Sequence, residues 1–575
     1  ISWSEVRDRV EDIAGGLRAL GLENEQRCAI LSGTRFEWIA ADLGTLCSGG
    51  ATTTIYPSTT AEECAYIIKD SGSRFVFAEN SEQIEKLVRK RGELPQVKKV
   101  IAFDRPSSED GWVISLADLE ELGREYFDAR PDHFERLVLG VKKDALATLI
   151  YTSGTTGRPK GVELTHDCWV YEAEAIAALG LLSEDDVQYL WVPLAHALGK
   201  VLQIAQLRIG FQTAVDGRVE KLLENLAAIR PTFSAAVPRV YEKVHARVVS
   251  AARDGGGIRA AIFDWAVRVG RRVSKLSQQG RSPAGALAIQ YAIADRLVFS
   301  KLKSRFGGRL RFFISGSAPL SPELAEFFHA AGILILEGYG LTESSAASFV
   351  NRPDRFRFGT VGPPVPGTDV KISPQDSEIL IRSRGVMRGY HGLPEASAEA
   401  LDPEGWLHTG DIGALEDGFL RITDRKKDLI KTSGGKYVAP QAIEGKLKVL
   451  CPYVSQVLVH GNNRNFCTAL IALDEEAIRK WAAAHGLSGL GYRELSEHPK
   501  VRDLIGDAVD RLNAELARFE AIKKFALLPA DLTVEAGDLT PSTKLKRKAV
   551  EAKYRHLLDA FYSRQESFER SAQSA

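Results

Sequence analysis

Tyr151-Thr152-Ser153-Gly154-Thr155-Thr156-Gly157-Arg158-Pro159-Lys160-Gly161 is the stretch on which the reading of this chain turns. It follows an apolar run at 147–150 and precedes a second at 162–164, each of strand length. Hydroxyls, flexible glycines and one lysine between two strands can wrap a polyphosphate with backbone N–H groups, hydroxyl donors and a cation. The string is not a Walker A loop. That pattern needs a Gly-Lys pair five residues after its first glycine, and Pro159 stands where the second glycine belongs.

Outward from this loop, strand-like and helix-like pieces alternate. Apolar residues at Val6, Val10, Ile13, Leu17 and Leu20 predict a helix from Trp3 to Leu20 that stops at Gly21. Short apolar runs at 28–31, 74–77, 99–103, 310–314 and 333–336 read as strands separated by helices. That alternation predicts a parallel sheet in an α/β layer architecture. Between 361 and 421 glycine and proline are frequent and short runs such as 378–382 suggest a β-rich subregion. The charge run Asp424-Arg425-Lys426-Lys427-Asp428 follows, and beyond it come new strand-like runs at 456–460 and 468–473 with charged helices. We place a domain boundary at this run, giving units 1–424 and 425–575.

Composition bounds the function. Seventy-five basic and seventy-five acidic residues leave a formal net charge of zero, which argues against a nucleic-acid partner. With 44% hydrophobic and 26% charged residues, the chain is an ordinary globular one and not a disordered or disulfide-built scaffold. Its six scattered cysteines form no CxxC or Cys/His cluster, so buried free thiols in a reducing, cytoplasmic setting are expected, without structural metal. The most apolar long run, 284–299, is broken by Gln290, Asp295 and Arg296 and falls short of a membrane span. Peripheral contact at the inner membrane face and a homodimer both stay open. The chain starts at Ile1, already inside a helical pattern, so upstream residues are expected and any leader would be invisible here.

The phosphate-type loop resembles the signature of the adenylate-forming superfamily, which includes acyl-CoA synthetases, peptide-synthetase adenylation domains and firefly luciferase. Further segments agree in the family's order: Ile314-Ser315-Gly316-Ser317-Ala318-Pro319-Leu320, then Glu337-Gly338-Tyr339-Gly340-Leu341-Thr342-Glu343, then Gly405-Trp406-Leu407-His408-Thr409-Gly410-Asp411. The charge run, Ser433-Gly434-Gly435-Lys436-Tyr437-Val438 and Thr540-Pro541-Ser542-Thr543-Lys544-Leu545-Lys546-Arg547 complete the series over essentially the whole chain. Ala517-Arg518-Phe519-Glu520-Ala521-Ile522-Lys523-Lys524-Phe525 and Val237-Pro238-Arg239-Val240-Tyr241-Glu242-Lys243 are similar to long-chain fatty-acyl-CoA synthetases. Ser542-Thr543 departs from many relatives and leaves the following lysine in place.

The resemblance implies a large N-terminal domain of stacked αβ sheets with a β-rich subdomain, and a small mobile α+β C-terminal domain. It implies that a long-chain fatty acid is activated with ATP and Mg²⁺ to an acyl-AMP and passed to CoA. A carboxylate is a poor electrophile, and attack on the α-phosphate brings an anion onto an already anionic nucleotide, so the site must supply cations and oriented donors. Residue by residue, Thr152, Ser153, Gly154, Thr155, Thr156 and Lys160 would hold the β- and γ-phosphates. Thr342 would reach the α-phosphate and Glu343 would be the Mg²⁺ ligand. Tyr339 would stack on adenine, with Gly316 and Gly338 leaving room for it, and Asp411 and Arg425 would hold the ribose. Lys544 is the expected adenylation lysine. Lys427 is the expected hinge, whose rotation would bring Gly434, Gly435 and Lys436 to the pantetheine channel of CoA. His196 is expected beside the acyl pocket. Two other readings share these residues: a fatty-acyl-AMP ligase serving a carrier-protein pantetheine, and a non-catalytic nucleotide-binding relative.

Overall fold

A computed structural model of the chain describes residues 1–152, 158–254, 256–540 and 542–563. The first helix runs Trp3–Ala19, capped by Ser2 and Glu5 in a reciprocal capping box, and the chain leaves it through Gly21 at φ +82°. The strand Arg27–Leu31 and the helix Phe36–Cys47 lead into Ala51–Ile55, which pairs parallel with the first strand, a β-α-β crossover.

Repetition of that unit builds an eight-stranded sheet. Its spatial order is Gly389–Tyr390, Lys160–Thr165, Leu146–Thr152, Ala51–Ile55, Arg27–Leu31, Phe75–Ala78, Lys99–Ala102 and Val113–Ser115. All neighbours are parallel except the first two pairs, where Lys160–Thr165 runs antiparallel to both flanking strands. The second sheet has six strands, in the order Phe349–Val350, Ile335–Tyr339, Phe312–Ser315, Phe233–Ala236, Val187–Leu190 and Gln212–Val215. Strands of both sheets are buried along most of their length, as expected where helices cover each face. The β-rich stretch is an antiparallel sheet of Asp369–Ile372, Glu378–Arg382, Leu407–Glu416 and Phe419–Arg425. After it, a pair of short strands and a three-stranded sheet of Val454–His460, Cys467–Leu473 and Ile522–Leu527 carry their own apolar core, drawn from residues at and beyond Ile430.

The two large sheets meet through helices, and one contact there is ionic. Lys200 on Ala197–Ile209 pairs with Asp42 on Phe36–Cys47, both side chains with no exposed surface. Gln203 Nε2 donates to the same Asp42 oxygen at 2.9 Å, and the Lys200 ammonium lies 5.9 Å from the rings of both Trp38 and Trp169. Against the second sheet, Tyr241, Phe306, Phe313, Phe327 and Phe328 form an edge-to-face aromatic cluster with centroid separations of 5.3 to 6.4 Å. The helix Gly257–Gln278 packs over it through Phe263 and Pro322–Ala330. The run 284–299 forms the helix Gly285–Ala294 and a π-turn Asp295–Phe299, and none of the helices among the described residues is long and apolar enough to cross a membrane.

Candidate active site

Parallel strands end at the site, where ligands of open α/β sheets collect. Leu146–Thr152 ends on Thr152, whose antiparallel partner is Lys160, so the two ends of the phosphate-type loop stand side by side. The loop's exit is held by Tyr66, whose hydroxyl donates to the Pro159 carbonyl at 3.1 Å. Ser153, Gly154, Thr155 and Thr156 lie outside the described residues. The Lys160 ammonium lies 4.9 Å from the centre of the Tyr390 ring. The Tyr390 hydroxyl donates to Glu343 Oε1 at 2.9 Å, so the loop cation and the Glu343 carboxylate are joined through one tyrosine. Tyr390 sits on the short strand Gly389–Tyr390, pinned to Lys160–Thr165 through Val162, through an ion pair of Arg388 with Glu163 at 2.8 Å and through a hydrogen bond between His391 Nδ1 and Glu163 at 2.6 Å.

Glu343 and the buried Thr342 occupy a 3-10 turn, Thr342–Ser344, beyond the strand Ile335–Tyr339. Ser345 and Ala346 follow at φ +59° and +92°, two successive left-handed residues, and a side chain at Gly340 would strike the Ala346 carbonyl. Behind the turn is Glu172 on His166–Ala178. It has no exposed surface, and neither carboxyl oxygen has a side-chain partner. Burial therefore holds the Glu172 carboxyl well above the usual carboxylate range, with the Ala347 backbone N–H opposing weakly. Folding a carboxyl that stays protonated takes up a proton above its ordinary value of 4.5, so stability falls as pH rises past that point. Glu172→Gln removes the effect: its melting temperature, relative to the unaltered protein, should rise between pH 5 and pH 8. A gap that stays constant with pH would show the carboxylate to be charged.

A second group holds what the sequence reads as the ribose and purine pocket. Asp411 and Arg425 face each other across adjacent strands, with Arg425 Nε 3.2 Å from Asp411 Oδ1. The Tyr339 hydroxyl donates to Asp411 Oδ2 at 2.6 Å. Each Asp411 oxygen thus has a protein partner and one remaining lone-pair direction, so a ribose would be held by those remaining directions. Burial raises the Asp411 carboxyl above its ordinary value, against the pull of Arg425. Gly316 has no heavy atom closer than 3.7 Å to where a side chain would start, whereas at Gly338 the Phe349 carbonyl is 3.2 Å away. Gly316 therefore opens space, and Gly338 answers to its neighbouring strand. Glu337, one residue earlier, accepts the Leu320 N–H at 2.9 Å and ties the 316–320 loop to this strand, its carboxyl pushed up by burial to about 8.

Lys544 comes to both groups from the C-terminal part. It ends a closed turn in which its N–H donates to Thr540 Oγ1 at 3.0 Å and its carbonyl accepts the Thr540 N–H at 2.8 Å. Thr543 beside it is left-handed at φ +60°, a conformation costing a β-branched residue about 1–2 kcal/mol. The Lys544 ammonium lies in the fields of Arg425, Asp411 and Glu343. Partial desolvation in the cleft, then Arg425, push it down to about 8, with the two carboxylates opposing. His196 faces the same lysine. Its Nδ1 accepts the Leu198 N–H at 3.1 Å as the N-cap of Ala197–Ile209, which leaves the proton on Nε2. Burial and the Lys544 charge push His196 down to about 3, so it is a neutral donor and not an acid–base group at neutral pH.

The remaining sequence-read residues lie apart. Gly434, Gly435 (φ +75°) and Lys436 form an exposed turn closed by Thr432, and adjacent Ser433 bonds to Arg464 and Asn465 within the same part of the chain. Lys427 is exposed just past Lys426, whose ammonium pairs with Asp376 at 2.5 Å and Glu378 at 3.1 Å. Among the described residues no group of three or more His, Cys, Asp or Glu is placed to hold a metal. Glu343 would thus be a single protein ligand, which suits Mg²⁺, a cation bound through one or two carboxylates plus phosphate oxygens and water.

Tyr390→Phe tests the bridge between the two halves of the phosphate region. Were Glu343 the Mg²⁺ ligand that the resemblance implies, loss of the tyrosine bonded to it would raise the Mg²⁺ concentration for half-maximal adenylation about tenfold. An unchanged Mg²⁺ dependence would detach Tyr390 from the metal position.

The fold is that of adenylating enzymes. Residues 1–391 match the AMP-binding enzyme family and residues 427–566 the AMP-binding enzyme C-terminal domain, and the chain belongs to this family. It is 35% identical to the long-chain-fatty-acid–CoA ligase FadD15 of Mycobacterium bovis, over 98% of this chain and 92% of the relative. It is 32% identical to the long-chain-fatty-acid–CoA ligase ACSBG1 of Mus musculus, over 96% and 80%. Among solved structures, the adenylation domain of a carboxylate reductase from Mycobacterium chelonae superposes with a TM-score of 0.74 at 25% identity, covering 98% of this chain and 84% of that one. An anthranilate CoA ligase bound to anthranoyl-AMP shares the fold, with a TM-score of 0.72 at 20% identity over 97% and 93%.

Proposed function

We propose that the protein is a long-chain-fatty-acid–CoA ligase that forms an acyl-AMP from fatty acid and ATP, releases pyrophosphate, and transfers the acyl group to CoA. The observation that carries this reading is the convergence of Lys544 on Asp411, Arg425 and Glu343, within a chain similar along its length to ligases of that name. Thr152 and Lys160, with the 153–156 loop between them, would bind the β- and γ-phosphates, and Thr342 the α-phosphate. Tyr339 and Gly316 would receive the adenine, and Asp411 with Arg425 the ribose. Mg²⁺ held at Glu343 would neutralise phosphate charge, and Lys544 would offset the charge that develops as the carboxylate attacks. His196, neutral and near Lys544, would donate from Nε2–H to the acyl carboxylate or adenylate oxygen.

In this reading the chain divides at the charge run into 1–424 and 425–575, and Lys427 is the pivot. A charged hinge stays solvated in both positions. The turn Gly434-Gly435-Lys436 stands away from the nucleotide groups while Lys544 is in place, as expected if adenylation and thioester formation use opposite faces of the C-terminal part.

Mass spectrometry of products formed from ATP, Mg²⁺ and a mixture of saturated fatty acids, with and without CoA, tests the reading. The expected result is acyl-AMP that converts to acyl-CoA once CoA is added. Acyl-AMP that persists with CoA would replace CoA with a carrier-protein pantetheine, and the absence of any adenylate would remove the reaction.

A further inference from the structure

Val237-Pro238-Arg239-Val240-Tyr241-Glu242-Lys243 has no part in the nucleotide groups, yet it opens a helix, Pro238–Asp254, that touches both parts of the chain. Tyr241 is the inner anchor. Its ring is buried against Phe313 and Phe328, and its hydroxyl donates to the Ile314 carbonyl at 3.1 Å, at the start of the 314–320 segment beside the purine space. At about 100° per residue, Arg239, Glu242 and Arg247 turn away from Tyr241 to the outer face of the helix.

That outer face meets the C-terminal part through three ion pairs. Glu242 Oε1 lies 3.0 Å from Lys448 Nζ, with 9% and 20% of the two side chains exposed. Arg239 spans Glu242 at 3.3 Å and Asp474 at 3.6 Å, while Asp474 also caps the helix Glu475–Ala484 by accepting the Ala477 N–H at 3.1 Å. Arg247 reaches Glu476 at 3.1 Å, but both side chains are exposed and the pair is worth little. The Glu242–Lys448 pair is the sheltered one, where solvent screens least.

A continuous path runs from that pair to Lys544. Lys448 sits on the helix Pro440–Leu450, whose Gln441 N–H donates to Asp424 in the charge run at 3.2 Å. Glu444, one turn before Lys448, holds Arg547 at 2.5 Å, and Arg547 follows Lys544 by three residues. Turning the C-terminal part about Lys427 would carry Lys448 and Asp474 off a helix fixed to the second sheet, so these pairs exist in one arrangement of the two parts. An interaction made in one of two states biases the equilibrium toward that state.

We propose that Glu242, aligned by Arg239, is a positioning residue for adenylation: its pair with Lys448 latches the C-terminal part in the arrangement that sets Lys544 in the site. The inference rests on the ligase reading and its pivot.

Rapid-quench measurement of both half-reactions tests it. Glu242→Gln should slow acyl-AMP formation about tenfold with KM for ATP within about twofold, because the lysine it positions acts in the transition state. Thioester formation from supplied acyl-AMP and CoA should not fall. Lys448→Arg keeps the pair and should adenylate as the unaltered protein does, whereas Lys448→Met should be as slow as Glu242→Gln. In a Lys544→Ala background Glu242→Gln should cost nothing more, since the latch acts only through that lysine. Unchanged adenylation, equal loss in both half-reactions, or a full added loss on top of Lys544→Ala would overturn the proposal.

Spin labels at the exposed positions Lys243→Cys and Ala483→Cys read the arrangement without turnover. A single short distance is expected, with a second, longer population appearing in Glu242→Gln; distances that ignore the substitution would overturn the latch. A protein that forms no adenylate but shows the second population loses the ligase reading and keeps the latch. A ligase whose adenylation and label distances are indifferent to Glu242→Gln loses only the latch.

Discussion

Lys544→Ala should lower the rate of acyl-adenylate formation by about 10²–10³, the loss measured when one preorganised charge is removed from a developing anion. The same variant should form thioester at an undiminished rate from supplied acyl-AMP and CoA, because the lysine acts on the carboxylate and α-phosphate of the first step. Rapid-quench measurement of the two half-reactions separates them. An unaltered first half-reaction would sink the role, and an equal loss in both would make the Thr540–Lys544 turn a structural element instead. The pH profile carries a further sign. The Lys544 ammonium, pushed down to about 8, loses its charge at lower pH than an ordinary lysine, so adenylation should decline on the alkaline side near that value.

Lys200→Met should cost about 3–5 kcal/mol of stability, because it strands Asp42 in the core between the two large sheets. In a chain of this size that is a fall in apparent melting temperature of about 3–6 °C. Asp42→Leu combined with Lys200→Met should recover most of the loss, since two apolar side chains can replace a buried pair with little penalty. A double variant as unstable as the single one would show that the Gln203 amide and the two flanking tryptophans require the charges. The helix that carries Lys200 begins at His196, so the single variant should also perturb the first half-reaction.

The motifs were legible because each is a run of neighbouring residues whose types are unusual together. Thr152 and Lys160 stand side by side because two strands close a loop, and Asp411 faces Arg425 because their strands form a hairpin. Contacts made by lone residues in bland surroundings were not legible. Tyr390 lies in a glycine-rich stretch without periodicity, and Glu172 in a helix whose pattern does not mark that face as buried. Glu337 did carry a signal, a carboxylate closing the apolar run 333–336, which reads equally as a strand terminus. The Asp42–Lys200 pair joins segments far apart in the chain, and nothing local in either helix points to the other. The run 284–299, which the sequence shows only to fall short of a membrane span, folds into a helix and π-turn whose Ile289, Ile293 and Leu297 are exposed, an orientation its composition alone does not give.

The tyrosine between Lys160 and Glu343 has a thermodynamic consequence. A nucleotide that draws Lys160 toward its phosphates and a cation that draws Glu343 both act on Tyr390, which touches each of them. Occupation of either position reorganises Tyr390 in advance for the other. The two equilibria are then coupled, and by reciprocity the factor by which nucleotide tightens the cation equals the factor by which the cation tightens nucleotide. Measured binding isotherms for each, with and without the other, would therefore yield a single coupling free energy, and Tyr390→Phe would shrink it from both directions equally.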